Sequence, residues 1–197
     1  MPKEVEIKFR VKDSRALARS LKRARFKQVT PSTHEVNDLY DLPGQKLRKR
    51  GDMLRLRKFG DQWLLTHKAK AKSSRHKSRV ERETKLENGK QMDGMLRALG
   101  FQPTFRYEKY RAEWSDGQGH VVVDQTPIGN FGEIEGKPRW IDRTARALGI
   151  DRRDYITQTY APMFFEWKRR SRSSAAEMTF RAVREAKRRD KKGGSGS

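Results

Sequence analysis

Acidic and basic side chains alternate with apolar ones near the start of the chain, in the stretch EVEIKFRV at 4–11. Glu4, Glu6 and Lys8 fall on one side of this pattern, and Val5 and Ile7 fall on the other. A period of two is typical of a β-strand, whose successive side chains point to opposite faces. The sequence therefore predicts a strand with one charged face, which is either a solvated surface or the wall of an interior site.

The same alternation recurs in later segments, including LRLR at 54–57, SRVERET at 78–84, EKYRAEW at 108–114 and FGEIEG at 131–136. For any single strand, a solvated charged face is the better interpretation. Six strands with this pattern have apolar faces that need a common cover. If outer helices supply that cover, the charged faces line a water-filled tunnel, where opposite charges or a ligand must compensate them.

The charges on these faces separate by sign into two candidate sets. The acidic set is Glu4, Glu6, Asp124, Glu133 and Glu135, and the basic set is Lys8, Arg55, Arg57, Lys68, Arg79, Lys109 and Arg111. Clustered carboxylates repel one another, and a hard divalent cation such as Mg²⁺ or Mn²⁺ relieves that repulsion. Arginine forks suit a chain of phosphates. Together the two sets predict a site for phosphoryl or nucleotidyl transfer.

Plainer alternatives remain for these residues. The acidic set could be partners in surface salt bridges, and Lys109 is the least secure of the basic set. Glu81 and Glu83 share a face with Arg79, where they orient the arginines, help a second cation or have a purely structural role. Tyr155 and Tyr160 are interpreted as core residues rather than as the closure of a tunnel mouth.

The elements that must position these charges are about eight strands interrupted by a few helices. Gly60 and Asp61 mark a hairpin, Asp13 is a candidate N-cap, and 68–78 is predicted to be a basic loop. Helices are expected at about 14–26, 88–99, 142–148 and 151–160. The fold class is α+β, a closed eight-stranded antiparallel β-barrel with helices packed outside.

Composition limits the function classes. The 197 residues are 34% hydrophobic and 37% charged, which suffices for one folded domain, predicted over 1–165. The absence of cysteine excludes disulfides, thiolate metal sites and a cysteine nucleophile. No run approaches the roughly 18 apolar residues of a membrane span, and the first residues lack an apolar signal segment. We expect a cytoplasmic protein without a membrane span.

A strong basic charge marks the whole chain and its end. The net charge of +22 predicts attraction to polyanions. Residues 166–197, the predicted second unit, carry 11 Lys or Arg and 4 Asp or Glu. Ser174 and Glu177 form a capping-box pattern that predicts a basic helix through about Arg189, followed by a flexible end. This tail is interpreted mainly as a solvated amphipathic helix, with non-specific polyanion contact as the alternative.

Six motifs of the chain resemble those of the CYTH superfamily, the triphosphate tunnel metalloenzymes. They are ExExK at Glu4–Lys8, NDLYD, LRLR at 54–57, RxExE at Arg79–Glu83, EKYR at 108–111 and GNFGEIE at 129–135. The matches keep the family's order over nearly all of 4–160. The resemblance implies an eight-stranded tunnel, Mg²⁺ or Mn²⁺ dependence and a triphosphate substrate. It implies the acidic set as metal ligands and the basic set as the triphosphate cradle, with Glu4, Glu6, Lys8 and Glu133 as catalytic residues.

Within this superfamily the chain looks most similar to the class IV adenylate cyclase branch, which would convert ATP to cyclic AMP and pyrophosphate. The alternative is a triphosphatase that hydrolyses inorganic tripolyphosphate or thiamine triphosphate, since both chemistries need the same ligands. A non-catalytic module that binds polyphosphate or RNA is the second alternative. The motifs leave these open, and a homodimer is compatible with the sequence.

Overall fold

A computed structural model describes residues 3–70, 72–73 and 76–193. Residues 71, 74 and 75 of the predicted basic loop and 194–197 of the predicted flexible end therefore lie outside the described residues. The strands are β1 (Lys3–Val11), β2 (Lys27–Asp41), β3 (Met53–Phe59), β4 (Gln62–Lys68), β5 (Lys72–Ser73), β6 (Lys77–Leu86), β7 (Gln102–Ser115), β8 (Gly119–Thr126) and β9 (Gly129–Gly136). The helices are α1 (Ser14–Arg23), α2 (Lys46–Arg50), α3 (Gly89–Ala98), α4 (Pro138–Ala147), α5 (Tyr160–Ser171) and α6 (Phe180–Gly193), with a 3-10 turn at Arg152–Asp154.

The strands form one antiparallel sheet that closes on itself. Its order is β1-β9-β8-β7-β2-β3-β4-β6, and β1 also pairs with β6 to complete the ring, while the short β5 adds to β6. Strand β1 closes the ring by pairing with two different strands along its length. Glu4 lies opposite Arg79 of β6, and Lys8 lies opposite Glu133 of β9. The predicted eight-stranded closed barrel is confirmed.

The apolar faces of the strands point outward under helices, as the alternation predicted. Ile7 and Phe9 of β1 pack with Val121 of β8 and with Leu21 and Trp140 from the α1 and α4 side of the barrel. Asp13 caps α1, since its Oδ1 accepts from the backbone N–H groups of residues 15 and 16. Because this side of β1 is buried in the core, its charged side must face the interior of the barrel.

A second apolar cluster lies where α5 meets the barrel. Phe105 and Tyr107 of β7 and Phe131 of β9 pack with Tyr160 and Phe164 of α5. These three strand residues have the same parity as the charged interior positions farther along β7 and β9, so this cluster fills one end of the barrel. The beginning of α5 thus covers one end of the tunnel.

One predicted helix is absent and another, the basic helix, begins later than predicted, for the same physical reason. Residues 151–160 do not form a helix, because the backbone of Ile156 pairs with Lys8 of β1 and keeps the chain extended. The helix instead begins at Tyr160 and crosses residue 165. Ser174 does not start α6, since the backbone of Met178 bonds to that of Arg106 and Glu108 on β7. In both places pairing with a strand outweighs the local helix signal.

Smaller differences concern the ends of elements. The strand expected at 34–41 is longer, Lys27–Asp41, and a short helix, Lys46–Arg50, follows it without having been predicted. Asp41 stabilises that helix, because its carboxylate accepts from the backbone N–H groups of Leu47 and Arg48. Within the described residues, no helix combines the length and apolar character that crossing a membrane requires.

Gly132 offers a test of the packing around β1. It lies opposite Phe9, and a Cβ placed on it would come within 2.1 Å of the Phe9 ring. Gly132→Ala should lower the free energy of unfolding by roughly 1–3 kcal/mol, because the ring must move within a packed core. Denaturant unfolding followed by Trp fluorescence measures the change.

Gly94 is the matched control, since it is exposed in α3 and a Cβ there would meet nothing within 4 Å. Gly94→Ala should raise stability by about 0.5–1 kcal/mol through the lower conformational entropy of the unfolded chain. Equal effects of the two substitutions would contradict the described contact between Gly132 and Phe9.

Candidate active site in the barrel

The barrel encloses a cavity of about 330 Å³ whose wall is mostly charged. Eight cationic side chains line it, namely Lys8, Arg55, Arg57, Lys68, Lys77, Arg79, Lys109 and Arg111. Seven carboxylates line it as well, namely Glu4, Glu6, Glu81, Glu83, Glu113, Glu133 and Glu135. All the residues of the two sequence-predicted sets meet in this wall, except Asp124, which lies directly behind it.

At one part of the wall, β1 carboxylates bind cations from β4 and β6. Lys68 Nζ lies 2.8 Å from Glu4 Oε1, and Arg79 Nε lies 3.3 Å from Glu4 Oε2. Lys77 Nζ lies 2.6 Å from Glu6 Oε1. Burial opposes the charge of Glu6, but Lys8 and Lys77 lower its pKa below the ordinary value. The acidic and basic sets therefore neutralise each other in this structure, and a ligand would have to exchange with these ion pairs.

A second group of ion pairs is centred on Glu133 of β9. Lys8 Nζ donates to Glu133 Oε1, and Arg111 Nη2 lies 2.5 Å from Glu133 Oε2. Burial opposes the charge of Glu133, but Lys8 and Arg111 hold its pKa well below the usual range. Burial likewise opposes the charge of Lys8, whose pKa is nevertheless raised by Glu133 and Glu6. Both side chains therefore stay charged across the neutral range.

Asp124 of β8 is fully buried and accepts three kinds of donor. Lys109 Nζ lies 3.0 Å from its Oδ2, the Arg111 Nε lies 2.8 Å from its Oδ1, and the Tyr160 hydroxyl lies 2.6 Å from Oδ2. Burial and the charges of Asp124 and Glu133 raise the pKa of Tyr160 well above its ordinary value. Tyr160 therefore remains a neutral hydroxyl donor. In this geometry Asp124 fixes two cations of the predicted cradle.

The arginines of β3 are held from β6. Arg57 Nη2 lies 2.8 Å from Glu83 Oε2, and Arg55 Nη2 lies 3.6 Å from the same oxygen and 4.0 Å from Glu81 Oε1. Of the alternatives left open for Glu81 and Glu83, these contacts support the orientation of the arginines. Thr66 of β4 completes the contact by donating to Glu83 at 2.6 Å.

Glu135 differs from the other carboxylates of the site. No hydrogen bond or ion pair joins it to another side chain in the described part of the chain. Although its side chain is exposed in the cavity wall, desolvation and the negative charges of Glu4 and Glu6 raise its pKa to about 7. Uncompensated negative charge of this kind is what a divalent cation with oxygen ligands would relieve. Over the described residues, no three His, Asp or Glu side chains are already grouped around one cation position, consistent with Glu4 and Glu6 being bound to Lys68 and Lys77.

Sequence reasoning missed three residues that the tertiary structure brings to the site. Lys77 has the parity of Arg79, and it was overlooked because the strand was predicted to start one residue later. Tyr160 is a core residue, as predicted, but it also lines the site, where Lys8 Nζ and Lys109 Nζ lie 4.7 and 5.1 Å from the centre of its ring. Glu35 lies in HEVNDLYD, and it was not singled out because Asn37 and Leu39, rather than further charges, follow it on the same strand face.

Comparison with known proteins agrees with this fold. A candidate adenylate cyclase from Vibrio parahaemolyticus is 21% identical, with a TM-score of 0.74 over 82% of this chain and 97% of that one. A protein from Pyrococcus horikoshii is 22% identical, with a TM-score of 0.70 over 83% and 98% of the two chains. A candidate adenylyl cyclase from Hippeastrum, described as having a dominant triphosphatase activity, is 19% identical, with a TM-score of 0.61 over 83% and 95%. No curated protein matches the chain.

The family model described as the CYTH domain matches residues 2–160. This span begins beside Glu4 and ends at Tyr160, so it contains both predicted sets of charged residues. The match confirms the resemblance carried by the ExExK, LRLR and EIE motifs, and the chain belongs to the CYTH domain family.

Proposed function

We propose that this protein is a divalent-metal-dependent enzyme that acts on the phosphate chain of a triphosphate, and that it hydrolyses the terminal phosphate. The observation that carries the proposal is the convergence of eight Lys and Arg side chains on one barrel cavity beside the Glu4, Glu6 and Glu135 carboxylates. Cations in fork geometry suit phosphate oxygens, and a carboxylate cluster beside them suits a hard cation.

The roles follow from position in the wall. Glu4, Glu6 and Glu135 would hold Mg²⁺ or Mn²⁺, which when bound neutralises phosphate charge and polarises the phosphoryl group. Glu133 and Asp124 were also predicted as ligands, and we assign them to orienting Lys8 and Arg111, from which they accept. Glu4 and Glu6 are also paired, so the metal would have to replace Lys68, Arg79 and Lys77 at these carboxylates. The seven predicted cationic residues, with Lys77, would hold the phosphate chain. Catalysis would then come from alignment for in-line attack and from charge stabilisation.

The lining favours hydrolysis over cyclisation. A cyclase must also hold a nucleoside base, and stacking on an aromatic ring is the usual means. The described lining contains two aromatic side chains, Tyr107 and Tyr160, which are only 5% and 6% exposed. Tyr107 packs on Phe105 and Tyr160, and the Tyr160 ring faces two lysines. Neither offers a free face for a base, which supports a wall that binds phosphate.

The cyclase remains the second candidate, because the sequence looks most similar to the class IV adenylate cyclase branch. This chain also shares its fold with the candidate cyclase from Vibrio parahaemolyticus. Thiamine triphosphate is a further candidate substrate for the hydrolase. A non-catalytic polyphosphate- or RNA-binding role is less well supported, because seven carboxylates in the wall would weaken a simple binder of anions.

The reaction is tested by incubating the protein with Mg²⁺ or Mn²⁺ and, separately, tripolyphosphate, ATP or thiamine triphosphate. We expect orthophosphate release, fastest from tripolyphosphate, because the described wall contacts phosphates and offers no base platform. Phosphate assay and chromatography of the nucleotides identify the products. Cyclic AMP and pyrophosphate from ATP would contradict hydrolysis and establish the cyclase.

The catalytic role of the β1 carboxylates is tested by Glu4→Gln/Glu6→Gln. Turnover should fall by about 100-fold or more, because the cation loses two anionic ligands. Circular dichroism checks that the variant is folded. Unchanged turnover by the folded variant would rule out these residues as metal ligands, while unchanged or tighter binding of tripolyphosphate without any wild-type turnover would favour the non-catalytic role.

Glu135→Gln separates metal binding from folding. In the metal-free protein the pKa of Glu135 is raised from 4.5 to about 7, so the folded state binds more protons than the unfolded state between these values. Stability should therefore fall as pH rises through this window. The Gln variant lacks this loss, and its Tm at pH 8 without metal should exceed that of the wild type.

With metal present, the wild type should have a higher Tm than Glu135→Gln. Mg²⁺ should raise the Tm of the wild type through binding to the folded state, and Glu135→Gln should lose most of this rise. Differential scanning fluorimetry with and without Mg²⁺ measures both effects. An equal Mg²⁺ response in the two proteins would remove Glu135 from the metal site.

A further inference from the structure

Glu35 of β2 is an ionised side chain in an unusual environment. It is 0% exposed, and neither of its carboxylate oxygens has a hydrogen-bond donor in the described structure. A buried carboxylate without hydrogen bonds is costly unless nearby opposite charge compensates it. The strand itself does not require an acidic residue at this position. The opposite charges that compensate the Glu35 carboxylate therefore indicate its role.

Three cations of the cavity wall surround this carboxylate. Lys109 Nζ lies 3.5 Å from Glu35 Oε1, while Arg57 Nη1 and Arg111 Nε each lie 3.8 Å from Oε2. Lys109 is the cross-strand partner of Glu35 on β7, and Arg57 comes from β3 on the other side of β2. One negative charge on β2 therefore lies between cations that two neighbouring strands contribute.

The oxygens of Glu35 have almost no accessible surface, so they cannot touch a molecule in the cavity. Burial opposes the charge, but Lys109, Arg111 and Arg57 lower the pKa of Glu35 to about 2. The carboxylate is therefore ionised at any pH at which the protein would work. Any effect on a ligand must pass through the three cations.

The distances between Glu35 and the three cations also decide whether Glu35 uses their N–H donors. At 3.5–3.8 Å the attraction is Coulombic and uses no directed hydrogen bond. Burial and the like charges of Arg55 and Arg111 disfavour the charged form of Arg57, lowering its pKa. A central negative charge offsets that repulsion without occupying a donor, so the N–H groups that do not already donate to Asp124, Glu133 or Glu83 stay available.

We propose that Glu35 is a positioning residue that holds Lys109, Arg57 and Arg111 together, so that all three can bind the same end of a phosphate chain. The inference rests on the proposed function for its ligand, and on geometry alone for its effect on the cations. It assigns to Glu35 no contact with substrate and no proton transfer.

Glu113→Gln is a matched control for Glu35→Gln. Glu113 also lies in the cavity wall, but its described partner is the Thr30 hydroxyl at 3.3 Å, and no cation pairs with it in the described residues. Both substitutions remove one negative charge from the barrel interior. Only Glu35→Gln removes the charge between the three cations.

The first measurement needs no ligand. Nitrogen-15 NMR of the Arg57 and Arg111 side-chain Nε–H groups and of the Lys109 ammonium reports their order in the metal-free protein. We expect Glu35→Gln to broaden or shift these signals and Glu113→Gln to leave them as in the wild type. Unchanged signals in folded Glu35→Gln would overturn the inference, whether or not the proposed function holds.

The second measurement is tripolyphosphate hydrolysis with Mg²⁺. Glu35→Gln should lower kcat by about 10–100-fold, as loss of an outer partner of a ligand-binding group commonly does, without raising KM, since the wall becomes more positive. Glu113→Gln should lower kcat less than Glu35→Gln does, because it keeps the negative charge between the three cations. Equal kcat values for the two variants would show a general charge effect and overturn the positioning role.

Should Glu35→Gln fail to fold, Glu35→Asp keeps the buried charge but withdraws it by one methylene. It should fold, with perturbed signals of the three cations and a smaller loss of kcat. Wild-type signals and kcat in Glu35→Asp would overturn the inference. Absence of turnover in the wild type would contradict the proposed function alone, and the NMR comparison would still decide the role of Glu35.

Discussion

The structure depends on placing many charges inside a closed barrel without leaving them uncompensated. Isolated buried charges are strongly unfavourable, and mutual pairing is the remedy that requires no ligand. Here the pairing runs between strands, as from Glu4 to Lys68 and from Glu133 to Arg111. These ion pairs therefore connect strands that the backbone ladder does not join directly, since one strand lies between the two members of each pair. The groups that would bind a ligand also help to hold the ligand-free barrel together.

This constraint explains the outer layer. Apart from the end that the α5 cluster fills, the interior of the barrel is charged, so most of its hydrophobic core must lie between the barrel and the surrounding helices. Ile7, Val121 and Ile134 pack in one cluster with α1 and α4, and Phe131 packs in another with α5. The α5 cluster also covers one end of the barrel, where Tyr160 joins the ion-pair network through Asp124.

The distribution of charge gives the cavity two distinct environments. Around Glu133 and Asp124, each carboxylate already accepts from two or more cationic groups, which holds Lys8, Lys109 and Arg111 in place. Around Glu135, negative charges crowd together and raise its pKa to about 7. The first environment suits phosphate oxygens beside fixed cations, and the second suits a cation. Both belong to one wall of a chain of the CYTH domain family.

The sequence alone determined the strands, the parity of their charged residues and the family. Because the side chains of a strand alternate between its two faces, the sequence alone places Glu4, Glu6 and Lys8 on one face. The hairpin at Gly60 and the cap at Asp13 are equally local signals. Tertiary structure decided which distant residues meet. Pairing of Ile156 with β1 and of Met178 with β7 replaced two locally plausible helix signals. Closure of the barrel brought Tyr160 to Asp124 and Glu35 between Lys109 and Arg57, because such contacts depend on strand order and register, which local periodicity does not contain.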